Sequence, residues 1–222
     1  FNRVPSLKAL CYEVLSFQSF STVLNVCFVG SLKSTILDDT QRAAWTNKFY
    51  AGINAVSGMF QFVIMPLFMK MVEPKMIWKL LPIIPVLASL VSALQPNPSL
   101  RLLALAFFSA KCIDYSLRGV VTEMIYVPLD FESRYVGKEV IGVFANRFGK
   151  SVVSVGLSAL TFAFDGFTNP ELLTNLSTTA AALWVYSAWT LSALAPKRTD
   201  ADQVVEERRK EIEKKKKKSK KQ

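Results

Sequence analysis

Histidine is absent from the 222-residue sequence, and cysteine is scarce, with Cys11, Cys27 and Cys112 far apart. Without histidine the chain lacks the commonest general base and the commonest metal ligand of proteins. The three cysteines form no CxxC pair and no zinc-ligand spacing, so a metal site and a disulfide framework are both unexpected. We therefore predict no catalytic residue, no metal and no cofactor, and we expect that the chain is not an enzyme.

Acidic residues are fewer than basic ones, at 17 against 27, and the net charge is +10. Residues 197–222 contain 12 basic and 6 acidic residues, so this tail alone accounts for +6. Because the basicity is concentrated in one tail, a nucleic-acid-binding surface spread over a fold is not expected. The tail ends in a lysine run, 214–218, and we predict that it is largely disordered. It either keeps the protein soluble or attracts an anionic lipid surface.

Long apolar stretches dominate the remaining sequence. Four charge-free stretches reach the roughly 20 residues that a membrane-spanning helix needs, at 14–32, 49–69, 80–100 and 172–196. Two further apolar stretches, 102–121 and 140–164, contain internal charges. We therefore predict an all-α, polytopic membrane domain over residues 1–196. Its six transmembrane helices are predicted at about 12–32, 50–70, 77–95, 100–123, 139–164 and 174–196.

Turn-forming residues and the distribution of positive charge support this arrangement. Asp38 and Asp39 can cap the helix that follows them, and Pro74 and Pro96 stand between apolar stretches. The segment 165–170 separates the fifth predicted span from the sixth. With six spans, more lysine and arginine residues fall on the side of the two termini. The positive-inside rule then places both termini, and the tail, on the cytoplasmic or an equivalent side.

The fourth predicted span contains three charged residues at helical spacing. Lys111, Asp114 and Arg118 lie within about 60° of one another on a helix, and Thr122 continues the same stripe. Charges within a membrane are unfavourable unless they are paired or face an aqueous cavity. Asp114 can bridge both cations. The stripe therefore indicates either a solute pathway or an internal ion-pair network that only orients helices.

Polar residues recur on other predicted spans. The fifth span contains a second cationic cluster of Arg147 and Lys150 beside Asn146, and Glu123 lies near the end of the fourth span. Polar faces that repeat on several membrane helices are typical of a solute pathway, although small polar residues also serve helix packing. We predict that the pathway is lined by Asn25, Asn54, Gln61 and Asn146.

One stretch of the sequence, residues 115–151, contains a series of recognisable motifs. They are Tyr115-Ser116-Leu117, Glu123-Met124-Ile125-Tyr126-Val127-Pro128-Leu129-Asp130, Gly137-Lys138 and Asn146-Arg147-Phe148-Gly149-Lys150-Ser151. This stretch resembles the TLC-type ATP/ADP translocases, the nucleotide transporters of plastids and obligate intracellular bacteria. The family's lysines are replaced by Asp114 and Thr122, and a family aspartate by Gly142, so the chain resembles a divergent member.

The resemblance implies a fold and an activity. The family resembles major-facilitator transporters, with twelve spans in two halves, and this chain would be the C-terminal half, whose partner is a missing N-terminal six-helix half. The implied function is ATP:ADP antiport by alternating access, with ATP and ADP as transported substrates, in the lipid bilayer of a plastid envelope. The implied phosphate-binding residues are Lys111, Arg118, Arg147 and Lys150, and the implied coupling or ion-pair residues are Asp114 and Glu123.

Two other interpretations agree with the same residues. Asp114, in place of a family lysine, suits a proton-coupled transporter of another organic anion. A membrane scaffold without transport activity would use the charged stripe only for structure. ATP hydrolysis at Gly149-Lys150-Ser151 is not expected, because a Walker A loop needs glycine at position 144 and the chain has Phe144.

Overall fold

A computed structural model describes residues 4–95, 98–163, 170–197, 199, 203–207 and 209–210. All regular structure in these residues is helical, which confirms the predicted all-α class. The predicted turn at 165–170 lies outside the described residues except for Pro170, and so does the lysine run 214–218. Within the tail, residues 203–207 and 209–210 are helical, and Lys210 pairs with Glu206 at 3.1 Å.

The helices follow one another with short connections. The first three are α1 (Pro5–Thr35), α2 (Asp39–Met59, π-helical Phe60–Ile64, then Met65–Met71) and α3 (Pro74–Leu80 and Ile83–Ala93). The next three are α4 (Leu100–Ile113, π-helical Asp114–Arg118, then Gly119–Tyr126), α5 (Phe131–Glu139, π-helical Val140–Phe148, then Gly149–Ala163) and α6 (Pro170–Leu194).

Local sequence signals account for several helix starts. The Asp38 carboxylate accepts a hydrogen bond from the Gln41 backbone N–H at 2.7 Å, which confirms the predicted cap of α2. Asp130 caps α5 in the same way, by accepting from the Ser133 N–H at 3.1 Å. Proline occupies the first turn of α1 and α3, where its missing N–H has no helical partner to lose.

Four helical segments are long and apolar enough to cross a membrane. They are Pro5–Thr35, Asp39–Met69, Pro74–Ala93 and Phe131–Leu160. These segments confirm the polytopic membrane character that the apolar stretches predict. The six-span count and the division at residue 196 stay predictions, because α4 contains three charges in its middle and α6 is rich in serine and threonine.

Helix α1 lies at the centre of the bundle and packs against α4, α5 and α6, while α3 packs against α4 and α6. Two apolar clusters fill the bundle. One surrounds Leu10 and Trp78, and the other contains Phe17, Phe107 and Trp184. The clusters meet along α1 between Val14 and Phe17, where Val14 belongs to the first and Phe17 to the second. Charged side chains lie at this junction.

Candidate functional site

A buried ionic cluster, formed by Glu13, Asp114 and Arg118, joins α1 to α4. Arg118 Nη2 donates to Glu13 Oε2 at 2.7 Å, and Arg118 Nη1 donates to Asp114 Oδ1 at 2.9 Å. Trp184 of α6 donates its indole N–H to Glu13 Oε1 at 2.8 Å. The Arg118 guanidinium carbon lies 3.9 Å from the ring centroid of Phe17. Three helices are therefore connected through one carboxylate.

Two members of the ionic cluster are almost completely withdrawn from solvent, while Asp114 is partly exposed. Glu13 is 0% exposed and Arg118 is 5% exposed. Buried charges are tolerated when a partner of opposite sign and additional hydrogen bonds satisfy them, and both conditions hold here. Arg118 therefore has carboxylate partners for both terminal nitrogens, which favours the ion-pair network among the two interpretations of the charged stripe.

A cavity of about 340 Å³ lies beside the ionic cluster, between α1, α4 and α5. Its polar lining consists of Asp114, Arg118, Thr122, Glu123, Lys138 and Asn146. The lining contains both carboxylates and cations, so the cavity offers hydrogen-bond donors and acceptors in a small space. Arg118 Nε is buried and has no hydrogen-bond partner among the described residues.

Glu123 and Lys138 form a second ion pair at this cavity. Lys138 Nζ lies 2.7 Å from Glu123 Oε1 and 2.6 Å from Oε2, so the ammonium contacts both carboxylate oxygens. Both side chains are partly exposed, and Lys138 Nζ lies 5.4 Å from the ring centroid of Tyr126. The pair connects the end of α4 to the start of α5. Glu123 therefore has an ion-pair partner, and its coupling role stays a prediction.

Lys111 has a different environment. Its Nζ lies 5.6 Å from the ring centroids of both Phe107 and Tyr115, so the ammonium is held by two aromatic rings. Asp114, which could bridge both cations, forms its ion pair with Arg118 and also lies within electrostatic range of Lys111. Lys150 of α5 contributes a weaker, repulsive interaction with Lys111.

The remaining candidate cations are exposed on α5. Arg147 and Lys150 are exposed, and the backbone carbonyl of Arg147 accepts a hydrogen bond from Ser151. In the described part of the chain, the cavity lining includes Arg118 but not Lys111, Arg147 or Lys150. The four phosphate candidates therefore do not share this cavity.

The predicted pathway residues are divided between the interior and the surface. Asn146 lines the cavity, and its side-chain oxygen accepts from Gln18 Nε2 at 3.1 Å, which connects α5 to α1. Asn25 is partly buried on α1. Asn54 and Gln61 are exposed on α2. Of these four residues, Asn146 is the one that the structure places beside the ionic cluster.

Glu13 and Trp184 are the site residues that sequence reasoning missed. One signal pointed to Glu13, because Lys111, Asp114 and Arg118 together leave one positive charge without a partner. Glu13 is the acidic residue inside the first predicted span, at 12–32. No comparable signal marks Trp184, since a tryptophan in an apolar stretch reads as a packing residue.

The comparison with known families adds an independent finding. Residues 102–194 match the sequence model described as TLC ATP/ADP transporter. The matched region contains Lys111, Asp114 and Arg118 on α4, and Arg147 and Lys150 on α5. No match is found among curated proteins, and none among solved structures. Over residues 102–194 the chain thus matches the TLC ATP/ADP transporters, a family of major-facilitator-like polytopic membrane transporters and not of enzymes.

Proposed function

We propose that this chain is the C-terminal half of a secondary transporter that exchanges ATP for ADP by alternating access. The observation that carries the proposal is the family match over residues 102–194, which includes every candidate cation of α4 and α5. In such a transporter, two six-helix halves rock around a central site. The partner half would be an N-terminal one, and the nucleotide would bind between the halves.

The chemistry of the described side chains supports an anionic substrate. Among the described residues, Lys111, Arg147 and Lys150 form no salt bridge, although Asp114 lies within electrostatic range of Lys111. Cations within a membrane domain are unfavourable when unpaired, so a bound anion would compensate them. Phosphate oxygens are preferred partners of lysine and arginine side chains.

Arg118 is proposed for a different task from the other three cations. Its terminal nitrogens are held by Glu13 and Asp114, so a phosphate would have to displace a buried carboxylate to reach them. We assign Arg118 to fixing α1 against α4, and Lys111, Arg147 and Lys150 to the phosphates. Glu123 and Lys138 are proposed as a partly exposed ion pair that opens and closes between conformations.

The test is uptake of labelled ATP into liposomes that contain the full-length protein. Preloading the liposomes with ADP is expected to accelerate uptake, because an antiporter needs an exchange partner. Arg147→Ala and Lys150→Ala variants are expected to reduce uptake at least about tenfold, the loss of one charge-assisted contact. Unchanged uptake in both variants would contradict the assignment of these two cations.

A second candidate is proton-coupled transport of another organic anion. The observation that favours it is the pair of carboxylates, Asp114 and Glu123, in the cavity lining. A pH gradient would then drive uptake without internal ADP. A non-transporting scaffold is tested by the same liposomes, because it would show no saturable uptake under either condition.

The plastid envelope is proposed as the membrane, on the family resemblance alone. A fluorescent fusion of the full-length protein tests the proposal, and a signal confined to another membrane contradicts it.

A further inference from the structure

Tyr115 occupies an unusual position for a tyrosine. It lies in the π-helical segment Asp114–Arg118, in the middle of α4, directly after a member of the ionic cluster. The residue is 48% exposed. Tyrosines of membrane proteins concentrate at the membrane–water interface, where the phenol is hydrated. An exposed aromatic ring between Lys111 and Arg118 is therefore not explained by interfacial anchoring.

Tyr115 and Phe107 are the two rings beside Lys111, and Phe107 belongs to an aromatic cluster with Phe49 and Tyr50. Phe107 stacks on Phe49 at a centroid distance of 6.2 Å, and Tyr50 meets Phe107 edge-on at 6.5 Å. Lys111 Nζ lies between the rings of Phe107 and Tyr115, at 5.6 Å from each. Phe107 is buried, so Tyr115 presents the accessible one of the two rings beside Lys111.

We infer that Tyr115 is a recognition residue that stacks on the base of the transported nucleotide, with Lys111 beside it to contact a phosphate. The inference rests on the proposed nucleotide transport and assigns the base-recognition part of that site. A planar base needs a flat, accessible aromatic face, and stacking tolerates differences among bases. Lys111 already lies over the Tyr115 ring, so a cation and an aromatic face are presented together.

Charge from a second helix supports the same assignment. Lys150 of α5 is within Coulombic range of Lys111 and is exposed. A nucleotide whose base stacks on Tyr115 would direct its phosphate chain towards these two lysines. Such a pairing of aromatic ring and cations distinguishes a nucleotide from inorganic polyphosphate, because only the nucleotide uses the ring.

The experiment compares the binding of ATP and of inorganic tripolyphosphate to the purified full-length protein in nanodiscs. Tyr115→Leu removes the aromatic face and keeps an apolar side chain, and it is expected to weaken ATP binding about tenfold. Tripolyphosphate binding is expected to stay unchanged, which also shows that the variant is folded. Tyr115→Phe keeps the ring and is expected to bind both compounds as the unsubstituted protein does.

The matched control is Tyr186→Leu, because Tyr186 is an exposed tyrosine on α6. This variant is expected to leave the ratio of the two affinities unchanged. An unchanged ratio in Tyr115→Leu would overturn the inference while leaving nucleotide transport in place. Failure of the unsubstituted protein to bind ATP would overturn the proposed function, and the inference with it.

Discussion

Two cations of α4, about two helical turns apart, have opposite environments. Arg118 is buried, and both of its terminal nitrogens donate to carboxylates of the chain itself. Lys111 is half-buried, rests on two aromatic rings and approaches a second lysine. In the first environment both terminal nitrogens have carboxylate partners, as a contact that holds helices together requires. In the second, Asp114 lies within electrostatic range but its ion pair is with Arg118, so Lys111 is the better candidate for an anionic ligand.

Glu13→Ala is the strongest test of the environment of Arg118, and we expect it to have the largest effect. It removes a carboxylate that is 0% exposed and leaves Arg118 and the Trp184 N–H without that partner. Breaking a buried ion pair from one side typically costs about 3–5 kcal/mol, so a loss of this size in the free energy of unfolding is expected. Denaturant titration of the protein in mixed micelles measures it.

A combined variant distinguishes two causes of lost stability in Glu13→Ala, the unpaired charge and the lost packing. Glu13→Leu together with Arg118→Met and Asp114→Asn removes all three charges and keeps side chains of similar volume. Such replacements are often neutral or stabilising, so most of the lost stability is expected to return. If the triple variant is as unstable as Glu13→Ala, the contribution of the cluster does not come from charge pairing.

Lys111→Met tests whether the environment of Lys111 binds an anionic ligand. The substitution keeps a long apolar side chain on the two rings, so the free energy of unfolding is expected to change little. ATP binding is expected to weaken by about 1.5–3 kcal/mol, or roughly tenfold to a hundredfold, because a charge-assisted contact is lost. Isothermal titration with ATP measures the change. The control is Lys79→Met, which removes an exposed lysine from the first part of α3. If both variants bind ATP equally well, Lys111 has no phosphate-binding role.

Glu123→Gln is expected to have the smallest effect on stability. The Glu123–Lys138 pair is bidentate but partly exposed, and exposed pairs contribute about 0.2–1 kcal/mol. The same denaturant titration measures the change, which is expected to shrink further at high salt. A loss of unfolding free energy comparable to that of Glu13→Ala would show that this pair stabilises the fold as the buried ionic cluster does, and is not a weak exposed ion pair.

The helix positions were largely predictable from the sequence, because apolar length and turn residues act locally. The first predicted span, 12–32, lies inside Pro5–Thr35, and the Asp38 cap is where the sequence predicts it. The fifth predicted span, 139–164, begins eight residues after the start of its helix, α5, at Phe131. A search for apolar stretches does not detect the polar first turns of a helix. In α5 the Asp130 cap stabilises these turns.

The partners of the charged residues were less predictable. The spacing of Asp114 and Arg118 correctly indicates one face of a helix, because four residues make about one turn. Glu13 is 105 residues from Arg118, and nothing in the local pattern says which helix packs beside α4. The exposed placement of Arg147 likewise depends on helix packing, whereas the two rings beside Lys111 come from the same helix, four residues before and after it.

The indole–carboxylate bond between α6 and α1 has a consequence for biogenesis. Glu13 and Trp184 are 171 residues apart in the sequence. The carboxylate is therefore made with α1, and its indole partner only much later, with α6. During synthesis, the Glu13 side chain meets Arg118 only when α4 emerges and meets Trp184 only when α6 emerges. Until α6 has been made, the Glu13 carboxylate therefore lacks the indole partner that it has in the folded bundle.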